Sequence, residues 1–288
     1  MDIGLAAWSE GLEPDETLPL SLPLDDVVRR ELRDKFADIL KNEGKDAAFA
    51  YLKKMLGDVP FNKLGVLDDD VLEYAASQGP DALKALSAWT EKDLKEHGVE
   101  LALRAKRDGE VLRDIQTLVS KGPINPSKLT KEQDKLIKAI AANSTQYDEA
   151  GQIVLGKWIN YDNGFTQIAR NTGSAHYNPH PDMWNLLEPL GKQQRDDVAW
   201  LINKEVIQNG IEKGLPFEYT LRGIDLDNLD AEKNAIEAIW KGANEIEIKS
   251  LLQTDYLPVR MKELKTLYES GYQISYDSIV DTFIFIKP

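Results

Sequence analysis

Gln152-Ile153-Val154-Leu155-Gly156 reads as a short buried strand: a run of apolar residues, β-branched at Ile153 and Val154, closed by a glycine. It marks a change in the texture of the chain. Before it, every periodic segment has helical spacing, and no clear strand is expected. After it, strand-like and helix-like segments alternate. Pro216-Phe217-Glu218-Tyr219-Thr220-Leu221 alternates in polarity and reads as a second strand, with further strands expected at 174–177, 272–276 and 282–286. Helical patterns fill the intervals. The strongest runs from a cap at Asp196 and Asp197 to about Gly214, with Val198, Leu201, Ile202, Val206 and Ile207 on one face. Others cover 165–170, 182–187, 230–253, where Gly242 can split the segment, and 259–270, which Gly271 closes.

Strands alternating with helices over short connections describe an α/β domain, a sheet flanked by helices. The ligand crevice of such a sheet lies beyond the carboxyl ends of its strands. Lys157, Trp158, the turn from His176 to His180, and Arg222 are therefore the expected mouth residues.

Upstream, the expectation is an all-α region. Val28, Leu32, Phe36, Ile39 and Leu40 recur at helical spacing up to Gly44; a second helix covers 47–56, a third begins at Asp68, and a fourth starts at Pro80 and runs on through Trp89 toward Gly98. Residues 99–118 are helical again, weakened by Gly109. Gly122-Pro123-Ile124-Asn125-Pro126 is a turn or linker. Thr130 and Gln133 have capping-box spacing for the helix that follows. The domain plan is thus an irregular arm over 1–24, a helical region over 25–122, a linker and helix over 123–150, and the α/β module over 151–288.

The chain has no cysteine, which removes disulfides, thiolate metal sites and cysteine nucleophiles. This fits a cytosolic protein and an exported one equally. Its net charge of −14 argues against a dedicated nucleic-acid binder, which needs a positive field. No apolar run is long enough to span a bilayer. The start, Met1-Asp2-Ile3-Gly4, lacks the basic and apolar regions of a secretory signal, so no signal peptide is expected in this chain.

Several short motifs, in order, carry a resemblance: Val154-Leu155-Gly156-Lys157-Trp158; Tyr161 with Ile168-Ala169; Gly173-Ser174-Ala175-His176-Tyr177 followed by Trp184; Trp200-Leu201-Ile202-Asn203-Lys204 with Gly210 and Gly214; and Glu263-Leu264 with Leu267, Gly271 and Tyr272. Residues 152–288 resemble a module at the ends of bacterial polymorphic toxins of the filamentous-haemagglutinin and contact-dependent-inhibition type. The stretch 225–256 looks like an insertion. The resemblance implies a toxin-type effector of interbacterial competition, carried on a larger secreted chain or complex and delivered to the target-cell cytoplasm. It also implies a cognate immunity protein as partner, and makes the helical region a delivery segment. It leaves open whether the module is an enzyme; cleavage of nucleic acid and attack on a nucleotide or NAD are the candidate reactions. The strong acidity keeps another reading alongside, a non-enzymatic binding or neutralising (immunity-like) protein, or an adaptor.

The chemistry-bearing residues are few. His176, Tyr177, His180 and Asp182 form the densest cluster, but Pro179 and Pro181 forbid the regular helix that would aim both imidazoles at one metal, so no metal site is expected. Asn203 on the strongest helix, Glu263 near the start of the last helix and His176 are the candidate catalytic residues. Lys157, Trp158, Tyr177, His180 and Arg222 are the candidate ligand contacts. Arg222 offers a guanidinium to an anion, and Trp158 a stacking ring. No phosphate-binding glycine loop or calcium loop is present, and the sequence names no cofactor.

Overall fold

The computed structural model describes residues 26–57, 61–146, 149–160, 163–178 and 180–288; the expected arm at 1–24 lies outside them, as do Tyr161, Pro179 and the side chain of Trp158. The described chain is mostly helical, with small sheets of few strands. It divides into two compact units, residues 1–110 and 111–288.

The first unit contains helices α1 (Asp26–Glu43), α2 (Lys45–Leu56), α3 (Asp69–Ser77) and α4 (Pro80–Ser87), a 3-10 segment (Phe61–Val66), and the beginning of α5 (Glu91–Ser120). Gly44 separates α1 from α2 at φ 88°, a backbone conformation that glycine adopts without a side-chain clash. The fourth helix is shorter than expected. It stops at Ser87, because Thr90 opens a new helix: the Asp93 amide donates to Thr90 Oγ1 at 3.1 Å and the Thr90 amide to Asp93 Oδ2 at 3.3 Å. The 99–118 helix is part of α5, which bends at His97 (φ −131°, ψ 15°). At Gly109 a Cβ would lie 2.8 Å from the Asp81 backbone, so the glycine that weakens the pattern permits a close helix approach.

The second unit takes in the rest of α5, then α6 (Lys131–Ser144), β1 (Thr145–Gln146), β2 (Ile153–Gly156), β3 (Trp158–Asn160), β4 (Asn163–Gly164), α7 (Phe165–Thr172), β5 (His176–Tyr177), α8 (Met183–Leu187), α9 (Lys192–Glu212), β6 (Phe217–Thr220), α10 (Leu226–Trp240), α11 (Glu245–Leu251), α12 (Val259–Glu269), β7 (Gln273–Asp277) and β8 (Thr282–Ile286). Thr130 and Gln133 form the expected capping box at α6. Strand β1, which the sequence reading lacked, is two residues paired with β5, too short to show a period. Helix α9 begins at Lys192, ahead of the expected acidic cap. Gly191, at φ 77°, precedes it, and the good helix formers Lys192, Gln193, Gln194 and Arg195 fill its first turn without apolar residues to reveal it.

The main sheet has the order β2-β6-β8-β7. Strands β2 and β6 are parallel, Ile153 facing Phe217 and Gly156 facing Thr220; β8 is antiparallel to both β6 and β7. Period-two alternation divides the side chains. Ile153, Leu155, Phe217, Tyr219, Phe283 and Phe285 enter one core with residues of α9, α10 and α12. Val154 points the other way, against Phe165 and Ala169 of α7. Among the described residues, no helix is long and apolar enough to cross a membrane.

Candidate functional site

Three helices place polar groups in the core beneath β6. On α9, Val198, Ile202, Val206 and Ile207 are buried, and Asn203 lies within this stripe, 8% exposed. The helix rests close on the sheet: a Cβ on Gly210 would meet Ile153 Cδ1 at 2.4 Å and Phe217 Cζ at 2.6 Å. On α12, Met261, Leu264 and Leu267 are core residues, and Glu263 beside them is 5% exposed. Helices α9 and α12 pack together, and Asn203 Nδ2 donates to Glu263 Oε1. The Asn203 Oδ1 is buried without a hydrogen-bond partner.

Burial raises the Glu263 carboxyl to about 7, over the opposing pull of the Asn203 hydrogen bond and of the Arg260 charge. Near neutrality this group exists in both forms, so it can take a proton and return it. Tyr177 lies within electrostatic reach of Glu263. Burial first, and then that carboxylate charge, push its hydroxyl well above the usual phenol range. The hydroxyl donates to Met183 Sδ at 3.4 Å.

A second buried group adjoins the first. Tyr219 on β6 donates its hydroxyl to Glu232 Oε1 at 2.6 Å, and Arg260 grips both oxygens of Glu232, Nε at 2.5 Å and Nη2 at 2.9 Å. Glu232 is 1% exposed. The Tyr219 hydroxyl is pushed well above its usual range, by burial and then by the Glu232 charge. Sequence reasoning passed over Glu232 and Arg260, and gave Tyr219 no role beyond its place on a strand. The signal was present in α10, where Glu232 shares an apolar stripe with Ala235, Ile236 and Ile239. A carboxylate at such a position must find a buried cation or donor.

The other expected site residues are placed as follows. His176 is buried, its ring edge-on to Phe165 with centroids 6.2 Å apart and its Nδ1 3.4 Å from the Ser174 carbonyl oxygen. His180 is buried, and its Nδ1 accepts from the Asp182 amide at 3.2 Å. Lys157 and Arg222 follow the carboxyl ends of the parallel strands β2 and β6, the expected mouth. There the Lys157 ammonium lies 3.4 Å from Asp225, and Arg222 donates to Gln167 at 3.1 Å, both at the surface. The structure therefore joins Asn203 and Glu263 between α9 and α12, with Tyr177 within electrostatic reach of Glu263, and sets Lys157 and Arg222 at the sheet's rim with other partners. No group of three or more histidine, aspartate or glutamate side chains fit to hold a metal occurs among the described residues.

No family model matches the chain, and neither a curated protein nor a solved structure does.

Proposed function

We propose that the chain is a toxin-type effector of an interbacterial competition system, in which an all-α delivery region precedes an α/β effector module. The module acts in the target-cell cytoplasm, on nucleic acid or a nucleotide, and a cognate immunity protein neutralises it. Glu263 is the acid–base group and Asn203 holds it in place. The observation that supports this reading is the Asn203–Glu263 hydrogen bond. Two residues picked out by their chemistry on separate helices meet in the core, where burial brings the carboxyl to a useful proton affinity.

The test is inducible cytoplasmic expression of the full chain in a susceptible bacterium. Intact protein should arrest growth, and Glu263→Gln should relieve the arrest at equal protein level. Absence of arrest by the intact chain, or undiminished arrest by Glu263→Gln, overturns the proposal. The net charge of −14 supports one other reading, an acidic binding or neutralising protein. Under that reading the intact chain leaves growth unchanged and protects cells from a separate basic toxin.

A further inference from the structure

Beside Glu263 stands a group that acid–base chemistry alone does not employ. Arg260 precedes Glu263 by three residues on α12, so the two share a helix face. One edge of its guanidinium is locked by Glu232, which Tyr219 braces in turn. Yet Arg260 keeps 28% of its side-chain surface in solvent, while Glu232 keeps 1%. A bidentate bond to a buried carboxylate fixes the plane of the guanidinium. Nη1 makes no hydrogen bond among the described residues, so donors remain for an anion.

Other observations converge on the same end of α12. Tyr256 lies within electrostatic reach of Arg260, and the residue is 66% exposed. The first turn of α12 has no acidic residue and no side-chain cap, and it carries Arg260 and Lys262 at the positive end of the helix dipole. Cations there are unfavourable unless an anion answers them; Glu232 answers Arg260, and the Lys262 ammonium stands over the Trp200 ring. One turn further in, the buried Asn203 Oδ1 lacks a donor. A buried amide oxygen without a donor is costly.

We propose that this end of α12 binds a small nucleotide, its phosphate on Arg260 and its base against Tyr256. The inference rests on the reading of Glu263 as the reactive group, and narrows its substrate class. A fixed guanidinium next to an exposed aromatic ring matches the phosphate and the π-face of one nucleotide. The overall charge of −14 disfavours a polymer, whose many phosphates would meet a repelling field.

The experiment is isothermal titration of the full chain with AMP, with inorganic phosphate and with a single-stranded oligonucleotide. Tyr256→Ala and Arg260→Lys are tested in parallel, and thermal unfolding verifies that each variant is folded. AMP should bind more tightly than phosphate. Tyr256→Ala should weaken AMP by about tenfold and leave phosphate unaffected, since only the stacked base is lost. Arg260→Lys should weaken both, because an ammonium lacks the planar fork. Failure of AMP to bind, or folded variants that bind it like the parent, overturns the proposal. An oligonucleotide bound more tightly than AMP overturns the restriction to small nucleotides. AMP binding without growth arrest sustains this site and sinks the effector reading. Glu263-dependent arrest without AMP binding does the reverse.

Discussion

Asn203 and Glu263, 60 residues apart in the chain, hydrogen-bond to each other between α9 and α12, with both side chains buried in the core. An ionisable group in such a place ties stability to pH. The folded carboxyl titrates at about 7, above the ordinary value of 4.5 for the exposed group. Between these two pH values the folded chain holds a proton that the unfolded chain has lost. The contribution of Glu263 to stability is therefore fully present below the lower value and is lost as pH rises through the upper one. The loss is of order 3 kcal/mol at most. Urea denaturation at pH 5 and pH 8 should show it, and Glu263→Gln should flatten that part of the profile.

Asn203→Ala removes the one hydrogen bond that favours the charged form of Glu263. The carboxyl should titrate higher still, which carboxyl infrared absorption followed against pH will read. The variant should also lose about 1–3 kcal/mol of stability, because a buried carboxyl oxygen is left without its donor.

The Arg260–Glu232 pair should respond unequally to the loss of either partner. Arg260→Ala strands a carboxylate that is 1% exposed, at a cost of about 3–5 kcal/mol. Glu232→Gln should cost less, because Arg260 already reaches solvent and the amide still accepts from Tyr219. Guanidinium denaturation of the two variants compares them directly.

Gly210→Ala should destabilise the second unit, although alanine is the better helix former by about 1 kcal/mol. The new methyl would collide with Ile153 and Phe217, which fill the floor between α9 and the parallel strands. Overpacking of this kind costs about 1–3 kcal/mol, so a lowered melting temperature is expected.

Much of the secondary structure was legible in the chain because its signals are local. Gly44, Pro80, the Thr130–Gln133 box, Gly242 and Gly271 each stop or start an element through backbone geometry within a few residues. The start of α9 and the strand β1 were not legible, since a polar first turn and a two-residue strand carry no period. The candidate site divides in the same way. Asn203 stood out as an amide in the interior of the strongest helix, and Glu263 as a carboxylate near the start of the last helix. The expected mouth residues Lys157 and Arg222 do follow the ends of adjacent strands. They engage Asp225 and Gln167, and the buried chemistry lies instead between helices below the sheet.

Periodicity in the sequence determined most of the helices and the four strands of the main sheet, and which face of each turns inward, because both follow from spacing along one element. Residue type and place on those helices also named Asn203 and Glu263 singly. Only the tertiary structure decided that these two meet, that Arg260 closes on Glu232, and that Tyr219 braces the pair. The partner of an inward-facing polar group is set by sheet order and helix crossing, which depend on contacts between segments far apart in the chain.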